Sequence, residues 1–579
     1  MGRAVSKHSS LGLNHTIYDC FPQRDRSKAG IKYQRTYRTG WLHCTRNYYP
    51  RGLGWRDLCV DTAVQGRLHT ADNMARVMEA IRAPGAKGEI ADAAPTQRAE
   101  TFLVTVAEKG VNADVASTTL PSVVPDGNQS GFVDKAKDRR MDRWLDAVVR
   151  FSGSEPVFLT IVVGLLVWAF LGIPFGSSAD WAVIISDVQA IVSYIFDSFL
   201  MRQQLNEYDR DMRASAMLRS RTISHKRMVR EIVGSSRFRT LTRAQLERVH
   251  GNNESEAELP AEGWAGRIST FLSAVLGHIV TCGLYWVGIL VWIGFGQLCG
   301  WSDEWQLYIN SSTSALMLLV FAFLANIQER HGAHLTRCLD ALFRVDSAIE
   351  ANLRSITGDA TPNPIVTIPA PEVSRVQRAI LYYADVVGTL VGIALLIMVM
   401  VAWLAIGPVL SFNSNWWLLI GTYAGLIGMN DGFVLDNVQS RLHAYVDGAF
   451  EQVHHDDLGL LDDIQAPERV EQQDWKPAIS QRLSVRMSAF CSHEFTVILG
   501  ALCIIGLIVG ASAMRWTLTG QLLCNIPPSI IESFFMMILI TGHNLSDQKR
   551  RNDLQTMHLR RLKILSWVKG LELLDVESN

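Results

Sequence analysis

The sequence lacks the short motifs that announce nucleotide or hydrolytic chemistry. It contains no GxxxxGK[ST] loop, no GxGxxG fingerprint and no HExxH. ATP-driven pumping and dinucleotide chemistry within this chain are therefore not expected, and no clustered catalytic set points to an enzyme. Its nine cysteines form no CxxC and no paired spacing, so neither a disulfide framework nor a zinc finger is indicated. Charge of one sign is also missing: 55 basic residues meet 56 acidic ones. In the arginine-rich loop 205–265, acidic residues are interleaved and no aromatic stacking pattern appears, so no nucleic-acid partner is expected. The first 30 residues are polar and contain no apolar core, so no signal peptide is expected and the first membrane helix is the expected insertion signal.

What the chain does have is apolar sequence, unevenly spread. Hydrophobic residues make up 48% and there are 16 tryptophans. The apolar residues gather in eight runs of roughly 17 to 27 residues, the length that crosses about 30 Å of hydrocarbon as a helix. The expectation is an all-α polytopic membrane protein with eight transmembrane helices in four hairpins. The pairs are 157–173 with 181–204, 271–295 with 305–328, 384–406 with 416–439, and 495–514 with 521–544. The connection within each hairpin is short and carries little charge. The segments between hairpins are long and charged, with mixed charges at helical spacing that predict helical continuations. The positive-inside rule then places these loops and both termini in the cytoplasm.

The predicted divisions are a largely disordered cytoplasmic region 1–140, hairpins 141–204, 266–328, 379–439 and 491–544, cytoplasmic loops 205–265, 329–378 and 440–490, and a tail 545–579. Residues 1–73 differ in texture from the rest, and Met74 is a candidate alternative start.

A common frame ties the hairpins together. Trp181, Trp305 and Trp416 each lie 13 residues after another tryptophan, Trp168, Trp292 and Trp403. Each is followed 23 residues later by a carboxamide: Gln204, Gln328 and Gln439, with Gln521 to Asn544 repeating the interval. Fifteen residues before the first tryptophan stand Gly153, Gly277 and Gly388, with His493 in the fourth copy. This reads as four divergent copies of one two-helix unit. The tryptophans beside the short loops are expected in an interfacial aromatic belt.

Within the apolar runs stand groups that are costly there. Ser186, Gln189, Ser193, Asp197 and Gln204 form one polar stripe along the helix 181–204. Asp187 and Asp197 on it would each cost about 3 kcal/mol at the centre of a lipid-facing helix, so the stripe should face protein or water. The candidate metal-binding residues are Glu155, Asp187, Asp197, His278, Asn430, Asp431, Asp436, His493, Glu494 and Glu532. Oxygen ligands with an occasional imidazole suit Fe2+ or Mn2+.

Each has a plainer alternative. Asp197 and Asp436 lie within two turns of the charged ends, and Asp187 about two turns from the other end. Asn430 and Asp431 are mid-helix. Glu532 is deep, behind Pro527 and Pro528, which can break a helix and free carbonyls. His278 can be a packing histidine, and Glu494 can complement a helix dipole. His331 and His334, with Cys338 following, have metal-compatible spacing just past a membrane run, but more simply lie on a solvated helix.

The segments RFSGSEPVFLTIVVGLLVWAFLGIPFG and WAVIISDVQAIVSYIFDSFLMRQQLNEYDRD, with IRAPGAKGEI upstream, resemble the fungal low-affinity iron permease family. The resemblance runs from about Met74 to the C-terminus. It implies a plasma-membrane transporter that moves Fe2+ inward at low affinity, with Cu, Zn and Mn as further cargo. It supplies no settled ligand set. The REGLE motif of high-affinity iron permeases is absent. No cofactor is expected beyond the transported ion, and the partners are that ion and the lipid bilayer, with an oligomer left open. The alternatives are a four-repeat cation channel, which predicts matched ligands where Asp187 instead aligns with Ser311, Thr422 and Pro527, and a membrane scaffold or regulator without transport.

Overall fold

The computed structural model describes residues 87–97, 131–134, 137, 139–176, 178–235, 259–412, 414–466 and 479–578. The expectations for residues 1–86, including Met74, and for most of 98–138 lie outside them.

The described residues are mostly helical. In order they form β1 (Ile90–Asp92), α1 (Arg140–Ser152), α2 (Glu155–Phe175), α3 (Ala179–Gly234), α4 (Trp264–Leu276), α5 (Ile279–Gly296), α6 (Asp303–Thr357), β2 (Val366–Ile368), α7 (Arg375–Val387), α8 (Leu390–Ile406), α9 (Ser414–Asp463), α10 (Ile479–Cys491), α11 (Glu494–Ala513), α12 (Leu518–Leu523) and α13 (Ile526–Ser578). Among the described residues seven helices are long and apolar enough to cross a membrane, and α7–α8, bent by 67°, would make an eighth if counted as one span.

The long helices α3, α6, α9 and α13 run 50 to 56 residues. About 20 residues suffice to span the hydrocarbon, so each continues well beyond it. Helix α3 packs on α6 and α9, and α13 packs on the same two, closing a ring in the order α3–α6–α13–α9. The apolar helices α2, α5, α8 and α11 stand outside. The apolar window of α2 has no buried residue, against 72% of that of α3. Leu159, Val163, Leu166 and Phe170 of α2 are exposed, a face that lipid would cover.

One junction recurs around the ring. Each outer helix follows a short amphipathic helix after a break, and a neighbouring long helix donates to a carbonyl at that break. Asn326 Nδ2 donates to Gly153 O at 2.9 Å, Thr541 Oγ1 to Gly277 O at 2.6 Å, Arg202 Nη1 to Gly388 O at 3.3 Å, and Asn437 Nδ2 to Ser492 O at 2.6 Å. A carbonyl freed by a helix break in an apolar setting needs such a donor. At Gly153 the approach is so close that an added Cβ would stand 2.7 Å from Ala325 O.

The tryptophan pairs beside the short loops also bond to one another. They staple helix to helix. Trp403 and Trp416 stack with centroids 4.2 Å apart, and Trp168 and Trp181 at 4.5 Å. Trp403 Nε1 donates to Trp416 O at 3.0 Å and Trp416 Nε1 to Trp403 O at 2.8 Å, and Trp168 and Trp181 exchange the same two bonds. Trp416→Phe keeps an aromatic ring but leaves the Trp403 carbonyl without its donor. It is expected to lower stability by about 1–2 kcal/mol, read as an earlier melting transition in detergent.

Beyond the membrane segments the four long helices continue as a bundle with its own apolar core, including Met228, Ile349, Leu461 and Trp567. The mixed-charge stretches that the sequence assigns to helical loops are these continuations where they are described; residues 236–258 and 467–478 lie outside the described residues. A fully buried ionic layer crosses the bundle. Arg561 binds Asp346, Asp457 (2.7 Å) and Thr222 Oγ1 (2.7 Å), and Arg221 meets Glu350 at 3.2 Å. Burial, opposed by Arg561, pushes the Asp457 carboxyl up to about 6. Burial, reinforced by Arg561 and Arg221, holds the His225 imidazole well below its ordinary range.

The sequence shows no sign of the strand pair found among the described residues. β1 runs antiparallel to β2, with Ile90 opposite Ile368. The segment after β1 straps the bundle, Ala94 N donating to Ser220 Oγ and Gln97 N to Glu350 Oε1.

Candidate cation path through the helix ring

The polar stripe of α3 faces the ring, as its spacing predicts. Ser186, Gln189, Ser193, Asp197 and Gln204 are all buried. In the half of the membrane segment nearer the short loops, the stripe meets polar groups of its neighbours. Asn310 Nδ2 of α6 donates to Ser186 Oγ at 2.9 Å, and Ser314 Oγ to Gln189 Oε1 at 3.4 Å. Thr313 and Ser529 bring their hydroxyls to 3.3 Å, and Asn525 lies against Gly421. Asn525 is available because the chain breaks between α12 and α13, where Pro527 and Pro528 take the first turn of the new helix. Asp187 is buried here with Oδ2 unpartnered.

Midway down, three carboxyls from three helices share one electrostatic environment: Asp197 of α3, Asp431 of α9 and Glu532 of α13. All are at most 1% exposed. The Glu532 carboxylate lies over Gly428 of α9, where a Cβ would stand 2.5 Å from its Oε1, so a side chain there would exclude it. Tyr383, reaching in from α7, donates to Asp431 Oδ1 at 2.5 Å. Both oxygens of Asp197, both of Glu532 and Oδ2 of Asp431 have no hydrogen-bond partner. Half-buried Asn430 stands beside Asp431 and Tyr383. Asp436 lies lower on α9, buried, with Oδ2 unpartnered. Isolated buried carboxylates cost several kcal/mol each, so this set is stable only when a cation or protons neutralise it.

The other sequence candidates stand apart from this group. Glu155 opens α2 and pairs with Arg330 at an exposed position. His278 and His493 are N-caps, their Nδ1 atoms accepting from Val280 N and Phe495 N. Glu494 accepts from Ser374 Oγ at 2.9 Å and faces Arg441 at 3.5 Å. Among the described residues no three His, Cys, Asp or Glu side chains are already set to hold one metal ion.

Sequence reasoning passed over one pairing. His331 is not on a solvated face but 2% exposed, and its partner is not His334. Its Nδ1 lies 3.0 Å from His543 Nε2 and 3.4 Å from Asp547 Oδ2. Burial, with His543 and Arg551 adding to it, holds the His331 imidazole below its usual range. His334 instead meets Cys338 Sγ at 3.6 Å. Local spacing could not reveal the contact, because His331 and His543 are 212 residues apart.

A family model described as low affinity iron permease matches residues 265–363 and 480–567. The chain is 34% identical over 504 residues to the low-affinity iron/zinc ion transport protein fet4 of Schizosaccharomyces pombe, covering 86% of each chain. It is 32% identical over 542 residues to a low-affinity Fe(2+) transport protein of Saccharomyces cerevisiae, covering 86% of this chain and 98% of the other. No solved structure matches.

Proposed function

The chain belongs to the low-affinity iron permease family and transports Fe2+ at low affinity, and from that premise we propose that the ion passes down the inside of the ring α3–α6–α13–α9, drawn by Asp187 and partly dehydrated by Asp197, Asp431 and Glu532. The observation that carries this path is the set of buried, unpartnered carboxyl oxygens on three facing helices. Asn430 supplies a further oxygen, and Asp436 passes the ion on.

Eight spans in four hairpins are part of this reading. The four recurring break-and-cap junctions and the stacked tryptophan pairs support it. The bundle end, with its many arginines, is cytoplasmic by the positive-inside rule, and the membrane is the plasma membrane. Inward movement follows the gradient and the negative-inside potential, worth about 4.6 kcal/mol for a divalent ion per 100 mV. Zn, Cu and Mn are further cargo. A fourfold channel filter fits less well, because α6 contributes no carboxyl to the middle level.

The test is ⁵⁵Fe2+ uptake under reducing conditions in cells without their own iron uptake. Saturable uptake that falls in Asp187→Asn at matched surface expression is expected. No uptake of Fe, Cu, Zn or Mn by the intact chain would return the scaffold reading.

Tyr383 gives a second handle. Its hydroxyl occupies one oxygen of Asp431, at a net worth of about 0.5–1.5 kcal/mol. Tyr383→Phe frees that oxygen for the ion. The half-saturating Fe2+ concentration is expected to drop severalfold with little change in expression, and an unchanged or higher value would remove Tyr383 from the path.

A further inference from the structure

One cavity lies past the carboxyl level that the path above leaves unused. It has about 30 Å3 of free volume, room for about two waters or one cation with a water. All four long helices wall it. The sequence frame puts Asn544 at the level of Gln204 and Gln439, but the structure puts His543 there, lining the cavity with them. The interval from Gln521 to Asn544 contains the chain break between Leu523 and Ile526, which the other three intervals lack.

The cavity gathers unsatisfied polar groups. Gln204 is 4% exposed and lacks a partner at both ends of its carboxamide. Gln439 Nε2 and Asp547 Oδ1 are buried without partners too. Each such group costs about 1–3 kcal/mol, and a native interior retains few of them. The remaining groups hold the imidazoles in place. Thr270 Oγ1 stands 3.2 Å from His331 Nε2 and orients the ring, and Arg551 takes Asp547 Oδ2 at 2.7 Å. Arg210 and Arg550 also line the cavity; Arg210 is held by Asp211 at 3.0 Å and Arg550 Nη2 by Asp447 at 3.2 Å, while Arg550 Nη1 is buried without a partner.

We propose that this chamber is a second binding station for the transported cation, which His331 and His543 ligate directly while Asp547 Oδ1 supplies the negative charge and Gln204 and Gln439 hold the ion's remaining water. The station rests on the transport reading given above. His331 Nδ1 and His543 Nε2 share a hydrogen bond at 3.0 Å; with the ring protons on His331 Nε2, beside Thr270 Oγ1, and on His543 Nδ1, both facing nitrogens present lone pairs at the spacing that two metal–nitrogen bonds of about 2.1 Å at about a right angle require. Two protein ligands with water, rather than a closed cage, bind weakly enough for release at the exit. The chemistry also sorts cargo. The carboxyl level is all oxygen and attracts any hard dication, whereas neutral imidazoles accept Fe2+, Co2+ and Zn2+ and disfavour Mg2+ and Ca2+.

Purified full-length chain in lipid nanodiscs is titrated with Co2+ and its visible spectrum recorded, beside ⁵⁵Fe2+ uptake in cells. The intact chain is expected to show nitrogen-ligated cobalt bands that Mg2+ does not displace. His331→Gln/His543→Gln should lose them, and Asp431→Asn should keep them. In uptake the double variant should hold its KM within twofold while its maximal rate falls at least fivefold. Should it not fold, judged by size exclusion, His543→Asn alone is read the same way. Bands that persist in the histidine variants, or never form in the intact chain while it takes up iron, overturn the station alone. Bands without iron uptake by the intact chain overturn the transport reading and leave a binding site.

Discussion

Asp431→Asn is expected to lower ⁵⁵Fe2+ uptake at least tenfold at matched surface expression, with Asp197→Asn and Glu532→Gln close behind. The size follows from Coulomb's law. A divalent ion 4 Å from one carboxylate gains about 8 kcal/mol at an effective dielectric of 20, twice the value for a unit charge. Lost hydration offsets most of this, but each 1.4 kcal/mol left over is a factor of ten. The amides keep the shape and remove the charge, so packing on Gly428 and the bond from Tyr383 are preserved in size. Glu155→Gln is the contrast. Its carboxylate is 64% exposed at the start of α2, so uptake should change less than twofold. Loss in Glu155→Gln with full activity in Asp431→Asn would move the path out of the ring.

Arg561→Met is expected to lower the melting temperature of the folded chain sharply, at a cost of about 3–5 kcal/mol. Asp346 and Asp457 would be left facing each other, both fully buried, with their shared guanidinium gone. Thr222 and the strap through Glu350 adjoin the same layer, so the disturbance reaches all four long helices. The Asp457 carboxyl is pushed up to about 6 even with Arg561 beside it, so burial outweighs pairing. Such a layer sets which helices meet and in what register, more than it adds stability. Replacing Arg561, Asp346 and Asp457 together by apolar residues should therefore restore much of the melting temperature that the single change removes. Fluorescence-detected size exclusion after heating measures both, and a triple variant no better than Arg561→Met would show that the layer itself stabilises.

The membrane character, the positions of the apolar runs and the inward-facing stripe from Ser186 to Gln204 were legible in the sequence, because each depends on hydropathy and a 3.6-residue period within one helix. The helical continuations were legible for the same reason. Asp197, Asp431 and Glu532 were picked out as costly residues, and Glu155, His278, His493 and Glu494 were picked out by the same criterion. Only the fold separates the two sets. Whether a polar group near a helix start caps a backbone amide, as His278 and His493 do, or faces a ring interior depends on which other helix stands opposite.

Tertiary structure alone decided that each break is capped by a neighbouring long helix, that His543 rather than Asn544 faces Gln204, and that His331 meets His543. These are pairings between distant segments, set by the fit of whole helix surfaces. A local pattern specifies which face of a helix is polar. The identity of the face it meets is a property of the packed ring, which exists only once all four long helices have come together.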